Sequence, residues 1–110
     1  MVSAMKKGLS ETCHRFFSIL GNPTRLAILE ALGERAMNVT QISEALGQEQ
    51  SMVSHNLGPL VQCRFVNVER SGKERIYSVN HETMDALFKV VEDHAARFCP
   101  TGGKCNAVRD

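Results

Sequence analysis

Apolar residues recur along the chain at two periods, and the change of period divides it. From Glu11 to Leu20, the positions Cys13, Phe16, Phe17 and Leu20 have helical spacing and predict a helix with one inward face. Gly21 stops it. Asn22 as cap and Pro23 in the first turn then start a second helix, with Leu26, Leu29 and Leu32 as its inner stripe and Gly33 at its end. A third helix begins at Val39-Thr40, with Thr40 as its cap and Ile42, Ala45 and Leu46 facing inward. Gly47 breaks it. A fourth starts between Glu49 and Ser51 and carries Val53, Leu57, Leu60 and Val61 as its apolar stripe. Gly58-Pro59 falls inside this fourth helix, and a kink or loosening is expected there because Pro59 has no N–H to donate.

The period changes at Phe65. Phe65, Val66 and Val68 lead into Arg70-Ser71-Gly72-Lys73, and Ile76, Tyr77 and Val79 follow, so strand, glycine-containing turn and strand predict a β-hairpin with a basic tip. A last helix starts near Asn80. Its Met84, Leu87, Phe88, Val91, Ala95 and Phe98 face inward or meet an interface, and Pro100 ends it. Two helices joined by a short glycine-containing turn, followed by a basic hairpin, make a mainly α winged helix-turn-helix. The expected organisation is one folded domain over 1–98 and a flexible tail over 99–110 that contains Thr101-Gly102-Gly103 and Cys105.

Length and composition narrow the classes. A chain of 110 residues with 43% apolar residues fits one domain with a real core and is not disordered throughout. A domain this small has a large surface relative to its core and gains from a partner. The net charge of +1 is too small to imply a nucleic-acid partner by itself, so local charge and motif must carry that inference. No apolar run follows the lysines near the N-terminus, and no stretch reaches the roughly 20 apolar residues of a membrane span. The expected setting is the cytoplasm, with no membrane partner. In a reducing compartment, Cys13, Cys63, Cys99 and Cys105 suit metal ligation, redox switching or packing better than structural disulfides.

The second helix of a helix-turn-helix enters the major groove of duplex DNA with its N-terminal residues at the base edges. Here those residues are Gln50, Ser51, Ser54 and His55, all capable of hydrogen bonding. Arg70, Lys73 and Arg75 on the hairpin suit phosphates or the minor groove, and Arg64 lies just past the helix. Each feature alone is also what a solvated helix face or a solvated turn looks like. Their order along the chain points to operator DNA. A winged helix used only for protein–protein contact is the alternative from another class, favoured by the lack of Arg or Lys in the first two turns of the fourth helix. No phosphate loop and no Ser/His/Asp arrangement points to an enzyme.

The sequence resembles the ArsR/SmtB family of metalloregulatory repressors over roughly Phe16 to Phe98. The motifs are Leu20-Gly21-Asn22-Pro23-Thr24-Arg25-Leu26-Ala27-Ile28-Leu29, Gln50-Ser51-Met52-Val53-Ser54-His55-Asn56-Leu57 and Gly72-Lys73-Glu74-Arg75-Ile76-Tyr77. The resemblance implies a homodimer built from the first and last helices, and repression relieved when an inducer binds. It also allows the family's sensor sites to be checked. The Cys-x-Cys of the third helix has no counterpart in Met37 to Ser43. The zinc site between last helices is not matched either: beside His94, Arg97 and Thr83 stand where carboxylates are required. The family's cadmium and lead sensors use two recognition-helix cysteines and one from the tail. Cys63 matches the later of the two, Pro59 occupies the earlier position, and Cys99 and Cys105 are tail cysteines.

Soft thiolates favour cadmium, lead, zinc or trivalent arsenic over hard ions. Cys63, Cys99 and Cys105 are therefore the candidate ligands of a thiolate-bound metal or metalloid inducer, with His94 and Cys13 as further candidates. The competing reading for Cys63 and Cys13 is packing, as small apolar residues on apolar faces. Two tail thiols also suit a redox or reactive-sulfur switch, because they can close a bridge once their Cα atoms come within ~7 Å.

Overall fold

The structure, a computed structural model, describes residues 9–99, with side chains from residue 14 onward. The elements are α1 (Leu9–Leu20), α2 (Pro23–Glu34), α3 (Val39–Leu46), α4 (Gln50–Gln62), β1 (Val66–Ser71), β2 (Glu74–Val79) and α5 (His81–Phe98). The predicted order is the order found, a winged helix-turn-helix. The chain divides into two compact units, one ending at Val79 and the other starting at Asn80.

In the first unit the core is made by Ile28, Leu29 and Leu32 of α2, Ile42 of α3, Val53, Leu57 and Leu60 of α4, and Phe65, Val66, Tyr77 and Val79 around the hairpin. Phe16 of α1 meets Phe65 edge-on, with ring centroids 5.0 Å apart. Phe17, expected on the inner face, is 60% exposed instead. One residue is about 100° of helix, which carries Phe17 past the edge of that face.

Two further expectations for this unit need correction. Leu26 is exposed, and the buried stripe of α2 runs Ile28, Leu29, Leu32. Steps of three residues fall short of a full turn by roughly 60° each, so Leu26, Leu29 and Leu32 cannot all face one way. Arg25, Ile28, Leu29 and Leu32 have the i, i+3, i+4, i+7 spacing that does.

The cap of α3 is Asn38, not Thr40. Asn38 Oδ1 accepts from the Gln41 N–H at 2.8 Å, and Gln41 Oε1 accepts from the Asn38 N–H at 2.9 Å. This reciprocal capping box satisfies two backbone donors where a threonine two residues later would satisfy neither of them. Within α3 only Ile42 is buried, and Ala45 faces out. Gly47 ends α3 in the left-handed region at φ 66°, where a Cβ would be strained. That tight turn delivers the chain into α4 within three residues, Gly47 to Glu49.

The helix α4 continues through Pro59 to Gln62 rather than loosening there. The carbonyl that Pro59 leaves without a helical partner belongs to His55, which is exposed and open to water. Beyond Cys63, Arg64 takes φ 66°, the Arg64 N–H donates to the Val61 carbonyl at 3.0 Å and the Phe65 N–H to the Leu60 carbonyl at 2.9 Å. These two bonds are those of a Schellman stop, with an arginine at the position usually held by glycine.

The antiparallel strands pair Val66 with Val79, Val68 with Tyr77 and Arg70 with Arg75. Gly72 and Lys73 alone close the hairpin. Gly72 has φ 67° at the first central position and no positive φ occurs at Lys73, the φ pattern of a type II′ turn. Met37 and Tyr77 exchange backbone hydrogen bonds of 2.9 and 2.8 Å, which ties the root of the hairpin to the loop before α3.

In the second unit, Asn80 caps α5 through its side chain, and α5 runs to Phe98. Met84 is buried and Leu87 and Phe88 are half-buried. The same stripe continues outward, with Val91 55% and Phe98 65% exposed. Pro100, the tail glycines and Cys105 lie outside the described residues.

Candidate nucleic-acid interface

The helix α4 buries Val53, Asn56, Leu57 and Leu60. At 3.6 residues per turn, the line opposite that face is Ser51, His55, Gly58 and Gln62, and all four are exposed. Of the residues expected to read bases, Ser51 and His55 lie on this outward line. Gln50 and Ser54 lie beside it. Gln50 Nε2 donates to Thr40 Oγ1 at 3.2 Å, which steadies the start of α4 against α3. Ser54 faces the hairpin and lines a cleft of about 510 Å³ together with Gly58, Val61, Val68, Arg70 and Arg75. It also lines a second cleft with Thr40, Lys73 and Arg75.

The hairpin sorts its charges by strand alternation. Side chains of a strand point alternately to opposite faces, and paired residues share a face. Val66, Val68 and Arg70 therefore share one face with Val79, Tyr77 and Arg75, while Glu69 and Glu74 fall on the other. The face turned to the α4 cleft is the one bearing two arginines and no acid. Arg70 and Arg75 stand directly opposite each other, a like-charge pairing that disfavours the hairpin. Among the described residues neither they nor Lys73 form an ion pair.

Two residues of this surface escape a sequence reading. Gly58 sits inside α4, and a Cβ built on it meets nothing within 4 Å. The Pro59 ring crowds a Cβ on a helical residue before it, which favours glycine at this place, although glycine costs a helix interior roughly 1 kcal/mol relative to alanine. Met52 is an exposed apolar side chain in the first turn. Its place off the Val53, Leu57, Leu60 stripe is the sequence signal for it.

The described sensor candidates stand on different elements. Cys63 follows the last residue of α4 and Cys99 the last residue of α5, both half-buried free thiols in different units. His94 is exposed, with its ring centroid 5.0 Å from that of Phe98. The side chain of Cys13 and all of Cys105 lie outside the described residues. Among the described residues no group of three or more His, Cys, Asp or Glu is arranged to hold a metal ion.

The model of the bacterial regulatory proteins of the arsR family matches residues 22–68, from the cap of α2 into β1. The solved structure of Rv0081 from Mycobacterium tuberculosis superposes with a TM-score of 0.78 at 31% identity, covering 87% of this chain and 97% of that one. The chain belongs to the arsR family. A homodimeric winged helix-turn-helix DNA-binding domain of Mb0332 from Mycobacterium bovis matches with a TM-score of 0.74 at 28% identity, covering 83% of this chain and 84% of that one.

Among curated relatives, the transcriptional repressor SmtB homolog of Synechocystis is 34% identical over 79 residues, 72% of this chain and 60% of the relative. A probable mercury resistance operon repressor of Streptomyces lividans is 38% identical over 69 residues, 63% of this chain and 55% of the relative. The chain thus spans little more than half the length of these two relatives. The relatives named here are transcriptional regulators, not enzymes. Among the described residues no helix is long and apolar enough to cross a membrane.

Proposed function

We propose that this arsR-family chain is a homodimeric transcriptional repressor that binds double-stranded operator DNA and is released by an inducer acting on cysteine thiolates. One arrangement carries the DNA-binding half: the exposed polar line of α4 lies beside a hairpin face with two arginines and no acid. In this function Ser51 and His55 read base edges, with Gln50 and Ser54 flanking them and Met52 set to meet a thymine methyl. Arg70, Lys73 and Arg75 neutralise phosphates, and Gly58 leaves room for the DNA to approach α4 closely.

The dimer uses α1 and α5. The exposed Phe17 of the former and Val91 and Phe98 of the latter support that choice, and the homodimeric Mb0332 domain supports a dimer as such. The inducer is a soft metal or metalloid ion held by Cys63, Cys99 and Cys105, with His94 and Cys13 as further candidates. The mercury-resistance repressor among the relatives supports that class of inducer. A thiol-reactive oxidant or sulfur species is the second class.

The test is fluorescence anisotropy of the reduced protein on DNA from its own upstream region, first across a salt series and then with cadmium and arsenite under a non-thiol reductant. Arg70→Ala and Arg75→Ala should each weaken binding about equally on all sequences and lower the salt slope by about 1. Release by about one or two ions per dimer supports a metal-responsive repressor and should be lost in Cys63→Ser. Tight binding that ignores both ions while thiols stay reduced points to the redox or sulfur class. Absence of salt-dependent DNA affinity would sink the DNA-binding function itself.

A further inference from the structure

Asn56 is the one buried polar residue among those described, 5% exposed and in the middle of the buried face of α4. Val53, Leu57 and Leu60 around it are apolar, and an apolar side chain would pack there without needing a partner. Asn56 has its partners. Its Oδ1 accepts from Arg25 Nε at 3.1 Å, and its Nδ2 donates to the Met52 carbonyl at 2.9 Å. Arg25 Nη1 donates in turn to the Ile19 carbonyl at 3.0 Å, in the last turn of α1. The Arg25 backbone N–H donates to the capping Asn22 Oδ1 at 3.0 Å. One guanidinium therefore ties the end of α1, the first turn of α2 and the middle of α4.

Apolar packing is non-directional and tolerates small rotations of a helix about its axis. Hydrogen bonds are not so tolerant, since they weaken steeply outside a window of about 2.7–3.2 Å. A rotation of α4 by roughly 20° would move side chains at a radius of about 5–6 Å by roughly 2 Å. That is enough to take Ser51 and His55 out of reach of a base edge while the core stays covered. The planar guanidinium suits this task because its donors are fixed in a fork, which a lysine cannot reproduce.

The geometry points to Arg25 and Asn56 as positioning residues for DNA reading: they set the rotation of α4 about its axis and so the register of Ser51 and His55. This rests on the DNA-binding function proposed above. The expected consequence is a loss of sequence discrimination that exceeds any loss of fold stability.

The test uses the full chain with Arg25→Met/Asn56→Leu, which replaces the buried polar pair by apolar groups, and with Arg25→Lys as a milder variant. Two duplexes are compared by anisotropy, one selected from a random library by the wild-type protein and one unselected. In the double variant, affinity for the selected duplex should fall roughly tenfold or more, the scale of a lost base contact. Affinity for the unselected duplex should stay within about twofold, because phosphate contacts are unchanged. Arg25→Lys should fall between. A second readout needs no DNA: relaxation dispersion of the α4 amides 51–58, quiet in the wild type, should show exchange in the double variant. Equal weakening on both duplexes, or unchanged discrimination with quiet α4 amides, overturns the inference. A wild type without salt-dependent affinity for either duplex defeats the DNA-binding function, and the relaxation measurement then decides by itself whether the pair sets the rotation of α4.

Discussion

Arg64 holds a backbone conformation that costs an L-residue roughly 1–2 kcal/mol. It does so because the Schellman stop after α4 must turn Phe65 under the helix, where that ring is buried against Phe16. Arg64→Gly should relieve the strain and raise stability by about 1 kcal/mol, read as a higher denaturant midpoint at unchanged slope. A lower midpoint would mean that the contacts of the Arg64 side chain outweigh the strain. The same attention to single residues separates Gly47 and Gly72, whose positive φ angles favour glycine, from Gly58, whose backbone is helical and precedes Pro59.

At the scale of elements, α4 is built against its own propensity. It carries Gly58 and Pro59 in its interior and lacks a side-chain cap at Glu49. Packing of Val53, Leu57 and Leu60 holds it instead. Gly58→Ala should leave fold stability within roughly 1 kcal/mol of the wild type, since the gain in helix propensity opposes the crowding of the new methyl against the Pro59 ring. Gly58→Tyr should leave thermal stability near that of the wild type and yet weaken DNA binding, because the outward face would be filled. Measuring both on one variant pair separates a glycine kept for the fold from one kept for a partner. The hairpin follows the same logic: facing Arg70 and Arg75 disfavours the ribbon and favours an anion beside it.

At the scale of the whole molecule, an apolar stripe of α5 begins buried at Met84 and ends exposed at Val91 and Phe98. Side chains of this size in one stripe mark an association surface more often than chance exposure. If that surface closes a homodimer, Val91→Glu should shift the sedimentation equilibrium toward monomer at micromolar protein and lower DNA affinity in step. A monomeric wild type, or a Val91→Glu protein that stays dimeric, would place the interface elsewhere.

Periodicity and punctuation were enough to read the order of elements, the short turn into α4 and the glycine-closed hairpin, because helix and strand periods and glycine turns are local properties of the chain. The exposed line through Ser51 and His55 was legible for the same reason. Local rules failed where two faces of one helix compete, as for Leu26 and Phe17, and where two caps are near in sequence, as for Asn38 and Thr40. Three features were beyond any local rule: the clasp of Arg25 on Asn56 and Ile19, the bond from Gln50 to Thr40, and the turning of the Arg70–Arg75 face toward α4. Each joins residues of different elements. Only packing, by fixing which faces meet, decides which of the chain's polar groups find one another.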